Sequence, residues 1–439
     1  MSKSIKTSLI ILVLLACVAL AILFSYPLYL AIAGTCFVSF FFIDSKAALP
    51  KLILSNTKSV YKTMLLMFLI SVTLPVLMAS GALPTLIYHT SDAMIGQNLL
   101  LAAFLIATIL SMLLGSAIGT LTILLPLFSS IALQSGIAYP LLIGALISGV
   151  YIGDRCSPLS SGLHLLSNIT ETHYLTNMKW LLASAVIPFI LSIMAFSVTG
   201  EASAITAQMI TSNERLPLVF DLSLWRLLPL TLMILLLVIK QPITRVLTVV
   251  FGLSFIMSIL NGHALSSLLQ MIFSGYRTTD AVLSAFMLTS GFKQMINVIL
   301  VIFFSGVLNS LLEADQLMDT IIAPFIKGVK KPAHLLMNAG LLSIVLSMVT
   351  CSQAMTSMVN GKYLSNHFDR LGLPRHLLVL VTANAGLNVV ALIPWNVNGI
   401  MIRQLTGVAP LEYLPYSIFV ILLTLFSLFV YPFMLKKQS

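Results

Sequence analysis

Leu110-Ser111-Met112-Leu113-Leu114-Gly115-Ser116-Ala117-Ile118-Gly119-Thr120 and Leu346-Ser347-Met348-Val349-Thr350-Cys351-Ser352-Gln353-Ala354-Met355-Thr356 share one plan, an apolar run that ends in small polar residues. They stand at an offset of 346 − 110 = 236, and at that same offset Gly136 falls on Gly372 and Pro158 on Pro394 without a gap. Each copy reads as an apolar helix, a polar break, a return, a Gly-containing turn, another helix and a second break at the proline. Rare features coinciding at one offset argue for an internal repeat rather than chance likeness of two apolar chains. Corresponding interruptions in two halves are the mark of a secondary transporter whose site lies at the repeat interface near the bilayer midplane.

Composition sets the same frame. Of 439 residues, 59% are hydrophobic and 8% charged, with a mean hydropathy of +1.06, which places the chain in a membrane. Apolar stretches fall near 9–24, 28–43, 64–79, 99–113, 141–152, 181–198, 224–239, 246–260, 295–312, 335–349, 377–393 and 418–435. At roughly 20 residues per crossing, the expected fold is an all-α polytopic membrane protein of about ten to twelve transmembrane helices. The 236 offset adds the expectation that 110–158 and 346–394 are equivalent, oppositely oriented segments with broken helices. The expected partition is 1–96, N-terminal helices; 97–200, first repeat core; 201–332, external loop and scaffold helices; 333–439, second repeat core and C-terminal helix. The number of crossings within 260–293 stays open.

Lys plus Arg exceed Asp plus Glu, 23 to 13. In a membrane chain that excess reads as the positive-inside bias rather than as a nucleic-acid surface. Lys46, Lys51, Lys58 and Lys62 against Asp44 put the segment after the first hairpin in the cytoplasm; Glu201, Glu214 and Asp221 against Arg215 put 201–221 outside. Lys436 and Lys437 place the C-terminus inside, beside the N-terminus, in a cell membrane. Leu14-Leu15-Ala16-Cys17 looks like a lipoprotein cleavage site, but a second apolar stretch follows with no polar spacer, so an uncleaved hairpin is expected. Cys17, Cys36, Cys156 and Cys351 lie far apart without CxxC spacing and suggest neither metal nor disulfide.

The chemistry concentrates at the second breaks. Gly153-Asp154-Arg155-Cys156-Ser157-Pro158-Leu159-Ser160-Ser161-Gly162 packs an acid, a base and three hydroxyls after an apolar run. Ionisable residues at such depth mark a site or its support. Its counterpart, Pro394-Trp395-Asn396-Val397-Asn398-Gly399, preceded by Asn384, Gly386 and Asn388, offers neutral amides that accept from or donate to either charge type. The candidate coupling residue is Asp154. Candidate contacts to the transported species are Ser157, Ser160, Ser161, Asn396 and Asn398, with Ser116, Thr120, Ser352, Thr356 and Asn384; Arg155, Pro158, Pro394 and Trp395 support them. Burial favours an uncharged acid and a nearby cation a charged one. Adjacent helical residues diverge by about 100°, so Arg155 is expected to face away from Asp154. Trp395 also suits an interfacial belt, Arg403 a snorkelling helix end, and His164 and His173, with Glu171 between them, hydrogen-bonded structure rather than a proton relay. No HExxH, GxSxG or Walker loop is present, so neither catalysis nor ATP-driven transport is expected, and no cofactor beyond Na⁺ or H⁺ as coupling ion. Expected partners are the lipid bilayer and a small ion or small-molecule solute; a homo-oligomer is compatible with the sequence.

At these residues the chain resembles the NhaC family of sodium/proton antiporters. The resemblance runs through Ser148-Gly149-Val150-Tyr151-Ile152-Gly153-Asp154-Arg155-Cys156-Ser157-Pro158-Leu159-Ser160 and recurs in Leu392-Ile393-Pro394-Trp395-Asn396 and Leu411-Glu412-Tyr413-Leu414-Pro415-Tyr416. It covers about 99–419 and implies inverted repeats, re-entrant hairpins and alternating access. Where the family continues with Asp-Thr-Thr after Ser-Pro-Leu-Ser, this chain has Ser161-Gly162-Leu163; where it has Glu-Asp, one residue and Gly, this chain has Ala383-Asn384-Ala385-Gly386. Three acids of the pattern are thus missing and Asp154 remains. The resemblance implies an ion-coupled antiporter; the lost acids leave open an H⁺- or Na⁺-coupled carrier of an amino acid or carboxylate on the same fold. A membrane enzyme or scaffold lacks any supporting constellation.

Overall fold

The computed structural model describes residues 3–24, 26–91, 97–200, 214–239, 241–278, 280, 283, 289 and 291–432. Glu201, Lys436 and Lys437, used above to read sidedness, lie outside the described residues. The chain opens with α1 (Lys3–Leu23), α2 (Leu28–Phe42), α3 (Leu49–Ala79) and α4 (Ala82–Ser91). The first repeat holds α5 (Leu99–Leu114), α6 (Ala117–Ser135), α7 (Tyr139–Cys156), α8 (Ser161–Ile169) and α9 (Tyr174–Thr199). Between the repeats lie α10 (Leu228–Val238), α11 (Ile243–Leu260), α12 (Leu265–Ser274), α13 (Phe292–Ala314) and α14 (Leu317–Ile326). The second repeat holds α15 (Pro332–Thr350), α16 (Gln353–Arg370), α17 (Arg375–Val381), α18 (Val397–Thr406), α19 (Pro410–Tyr413) and α20 (Ile418–Leu425).

Among the described residues six helices are long and apolar enough to cross a bilayer, and two bent pairs raise the number to eight. The pairs bend by 68° between Met64–Ala79 and Ala82–His89 and by 73° between Pro410–Tyr416 and Ile418–Val430. This is fewer than the ten to twelve crossings counted from apolar runs. The apolar runs 28–43 and 99–113 form α2 and α5, helices of 10–17 residues that stand outside those eight.

The two repeats carry the same backbone devices at the 236 offset. Helix α5 ends at Gly115 (φ 66°, ψ 23°) and α15 at Cys351 (φ 55°, ψ 14°), both left-handed. Ser116 and Ser352 follow in extended conformation and cap α6 and α16, accepting from the amides of Gly119 and Met355. Gly136 (φ 71°) and Gly372 (φ 66°) make the next turns. Then α7 and α17 begin, at Tyr139 and Arg375. The second helix does not run evenly: residues Thr382–Leu387 form a π-turn and Val390–Leu392 a tighter 3₁₀ turn. The N-caps after the breaks, Ser160 and Asn396, again stand in register.

Packing is reciprocal between the repeats. Helix α8 lies on α16 and α18 on α6, while α9 lies on α17 and α20 on α7. Within the first repeat α5 and α7 approach very closely, since a Cβ at Gly149 would come within 2.5 Å of the Phe104 carbonyl oxygen and one at Gly153 within 2.1 Å of the Ser111 carbonyl carbon. Small residues allow such contact in membranes, where packing rather than water drives association. Around this core α3 packs on α11 and α13, and α2 on α1 and α13.

Candidate functional site

Helix α7 runs on through Asp154 and Arg155 to Cys156, so the charged pair sits on the last helical turn rather than in the break, as the sequence had suggested. Pro158 explains the stopping point, because it disfavours helical geometry at Ser157, which is extended at ψ 148°. The break proper is short, and Ser160 starts α8 by capping the Leu163 amide. In the second repeat Asn398 and Gly399 likewise belong to helix, α18, and the non-helical stretch is confined to Ile393, Pro394, Trp395 and the cap Asn396.

On a helical turn the two charges diverge. Asp154 turns toward the first breaks of both repeats: one oxygen accepts from the Ala117 amide at 3.0 Å and the other from Gln353 Nε2 at 3.0 Å. Ala117 and Gln353 are the first residues of α6 and α16 and are equivalent in the repeat. The carboxylate therefore stands where two helix N-termini meet, a setting that favours anionic groups. Gln353 Nε2 also reaches the Leu387 carbonyl at 3.3 Å, tying Asp154 to the π-turn. Sequence reading missed Gln353; the signal was its position, 236 residues after Ala117.

Arg155 turns the other way, to the interface with α9 and the π-turn. Its Nη1 donates to Asn384 Oδ1 at 2.5 Å, Leu181 O at 3.2 Å and Ser184 Oγ at 3.3 Å. The side chain is 1% exposed. Its Nε and Nη2 have no partner among the described residues. Asn384 in turn donates to Ser184 Oγ at 3.3 Å, and its carbonyl accepts from Thr424 Oγ1 at 3.3 Å.

Most of the expected hydroxyl and amide contacts are spent on the backbone. Ser157 Oγ donates to Met112 O at 2.6 Å, Thr120 Oγ1 to Ser116 O at 2.7 Å and Thr356 Oγ1 to Ser352 O at 3.0 Å. Ser160 Oγ donates to the Asp154 carbonyl, and Asn396 Nδ2 to Ser347 O at 2.9 Å. Trp395 Nε1 donates to Met348 O at 2.8 Å, so the tryptophan secures the second break to α15. Ser116 and Ser161 border a cavity of about 440 Å³ beside the first break, with Gly115, Leu159, Gln241 and Thr244. The structure thus gathers Asp154, Ser116, Ser160 and the unforeseen Gln353, whereas Asn396 and Trp395, flanking Pro394 in the chain, form a separate brace to Ser347 and Met348. His164 stacks on Tyr174 with ring centres 4.1 Å apart, Glu171 pairs with Arg375 at 2.9 Å, and Arg403 is exposed.

Comparison with known proteins assigns the chain to a family. A family model described as "Na+/H+ antiporter family" matches residues 1–162 and 149–433. The malate-2H(+)/Na(+)-lactate antiporter of Bacillus subtilis (strain 168) is 26% identical over 347 residues, 77% of this chain and 74% of the relative. The Na(+)/H(+) antiporter NhaC of Alkalihalophilus pseudofirmus is 24% identical over 380 residues, 85% of this chain and 80% of the relative. The arginine/ornithine antiporter ArcD of Halobacterium salinarum is 24% identical over 360 residues, 80% and 74% of the two chains.

Proposed function

Because this chain belongs to the Na+/H+ antiporter family, we propose that it is an ion-coupled antiporter working by alternating access, with Asp154 as the residue that exchanges the coupling ion. The observation that carries this reading is the position of Asp154, held at 3.0 Å by equivalent first residues of two broken-helix hairpins, Ala117 and Gln353. One carboxylate bridging both repeats can report its ionic state to both, which coupling between ion and conformation requires. Ser116 and Ser161 line the cavity beside the first break, and Ser160, which caps α8 and donates to the Asp154 carbonyl, fixes its backbone. In this reading the repeats 97–200 and 333–439 lie oppositely oriented in a cell membrane, with both chain termini cytoplasmic and 201–332 serving as external loop and scaffold. Na⁺ or H⁺ is the coupling ion.

Purified protein in proteoliposomes tests the reading. A Na⁺ gradient, imposed with and without a panel of organic solutes, should drive proton movement. Asp154→Asn should reduce coupled flux by about 100-fold or more, equivalent to losing roughly 3 kcal/mol of differential stabilisation. Accumulation by Asp154→Asn against a gradient with unchanged pH dependence would remove Asp154 from the coupling role. A second reading, a carrier of a small organic acid on the same fold, is favoured by one observation, the buried guanidinium of Arg155 with no acidic partner among the described residues.

A further inference from the structure

We propose that Arg155 is the anchor of a carboxylate-binding subsite between α7, α9 and the π-turn of the second repeat. This inference rests on the antiporter reading above and names the class of solute that its site accepts. Moving a cation out of water costs several kcal/mol even after relaxation, and natural proteins offset that cost with a counter-charge. Around Arg155 the hydrogen-bond acceptors are all neutral: an amide oxygen of Asn384, a backbone carbonyl of Leu181 and a hydroxyl of Ser184. The acid next in sequence, Asp154, faces Ala117 and Gln353 instead.

Which nitrogens are free is more telling than the missing counter-ion. All three acceptors crowd onto Nη1, whereas Nε and Nη2 are unpartnered and fully buried. Those two nitrogens carry the parallel N–H bonds of the side edge of a guanidinium, the edge that pairs with a planar carboxylate through two hydrogen bonds. The Nη1 contacts fix the plane of the group and leave that edge without a hydrogen bond. Phe419 lies against the guanidinium with its ring centre 5.9 Å away and shields it from solvent. A turn earlier on α7, the Tyr151 hydroxyl is also buried without a partner, as is Oδ1 of Asn388 beyond the π-turn.

A solute cation at this edge would meet like charge in a medium of low dielectric, which selects against it. A neutral solute would leave the charge unbalanced. A monovalent carboxylate balances it, and in doing so joins Arg155 of the first repeat to the side of the second repeat that carries Asn384. Binding there therefore acts on the same interface that Asp154 bridges through Gln353, one residue and about 100° away around α7. Ion and anion thus each bias the packing of the two repeats, which supplies the differential affinity for two states that exchange requires.

The test uses the full chain, purified, with binding read by thermal shift and by calorimetry in Na⁺ buffer. The probes are L-lactate and L-malate, with lactamide as the uncharged analogue and chloride and phosphate as inorganic anions. Expected are binding of at least one carboxylate, no binding of lactamide, and a loss of at least about tenfold in carboxylate affinity in Arg155→Gln, partly restored in Arg155→Lys. Should Arg155→Gln fail to fold, the wild-type contrast of lactate with lactamide, together with Arg155→Lys, decides. Failure of both carboxylates to bind, equal binding by Arg155→Gln, or competition by chloride or phosphate as strong as by lactate would each overturn the assignment. Proton movement driven by a Na⁺ gradient is followed in parallel with wild-type protein. Flux that persists without any carboxylate effect sinks the subsite and leaves the antiporter reading standing. Carboxylate binding without any ion-coupled flux does the reverse.

Discussion

The two halves of this molecule repeat a backbone and divide a chemistry. At Gly115-Ser116 and Cys351-Ser352 the chain makes the same left-handed turn and the same serine cap. Seven positions before each second N-cap, by contrast, the first repeat is a plain α-helix at Gly153, followed by Asp154 and Arg155, while the second stands at Val389, two residues past its π-turn, followed by the neutral Val390 and Ala391. Symmetric scaffolding with asymmetric charge is what a carrier needs. Equivalent halves give two nearly equal conformations, and an acid and a base at the second break of one half alone would give the single coupling and binding centre proposed above. The neutral half serves it, because Gln353 grips Asp154 and Asn384 grips Arg155.

The largest expected effect tests how deeply the shared turn is built in. A Cβ on Gly115 would lie 2.4 Å from the Leu159 carbonyl carbon, and the residue is already left-handed. Gly115→Ala therefore costs the left-handed penalty plus a forced shift of the first break, together about 2–4 kcal/mol, and should nearly abolish folded, transport-competent protein in a detergent thermal melt and a liposome assay. Cys351 holds the same conformation with a side chain already present. Cys351→Gly relieves strain of roughly 1 kcal/mol and gives up a buried thiol of similar worth, so its melting temperature should stay near wild type. Equal damage from both substitutions would mean that the close approach of the first break to α5 is not what distinguishes the halves.

Next in size is the neutral half's grip on the charge. Gln353→Ala leaves one Asp154 oxygen without its donor and takes a side-chain donor from the Leu387 carbonyl. A buried group left unsatisfied costs about 1–3 kcal/mol, so coupled flux should fall roughly tenfold, with a displaced pH midpoint. Ser352→Ala, which removes only a helix cap one residue away, should cost about 1 kcal/mol of stability and leave the pH midpoint in place. If both variants share one pH profile, Gln353 is merely part of the scaffold.

This pair of substitutions also marks how much was legible in the sequence. The repeat was legible because caps, left-handed glycines and prolines are local devices whose residue types follow from backbone geometry. Asp154 stood out because an acid in an apolar run is rare. Gln353 was silent, since an amide is unremarkable in a polar break and its importance comes from a partner 199 positions away. The π-turn was silent too: Thr382-Ala383-Asn384-Ala385-Gly386-Leu387 contains nothing that a straight helix would refuse. Its extra residue appears only in three dimensions, where Ser347 reaches Gly386 O at 3.2 Å while the equivalent Ser111 reaches Gly149 O at 3.2 Å, one position earlier in the repeat.

The smallest expected effect comes from a charge cluster outside both repeats, which serves as a contrast to them. Asp315, between α13 and α14, accepts from the amides of Asp44 and Ser45 at 3.0 Å each and from Lys6 Nζ at 3.3 Å. It thereby joins the start of α1, the loop after α2 and the end of α13. Burial alone would raise its carboxyl, but the two amides and the lysine outweigh that and hold it down at about 2. A carboxyl depressed in the folded state contributes stability that is complete well above the unfolded value of about 3.9 and is lost as pH falls through the folded value. Asp315→Asn should therefore lower stability at pH 7 by on the order of 1 kcal/mol after allowance for screening at the membrane surface, a shift of a few degrees in the melt. The gap between variant and wild type should close as the pH drops from about 4 toward 2. Transport per folded molecule should not change, since the cluster touches neither break. A loss of coupled flux in Asp315→Asn with an unaltered melt would show that charge outside the repeats takes part in coupling, and the division between a charged half and a neutral half would then be too simple.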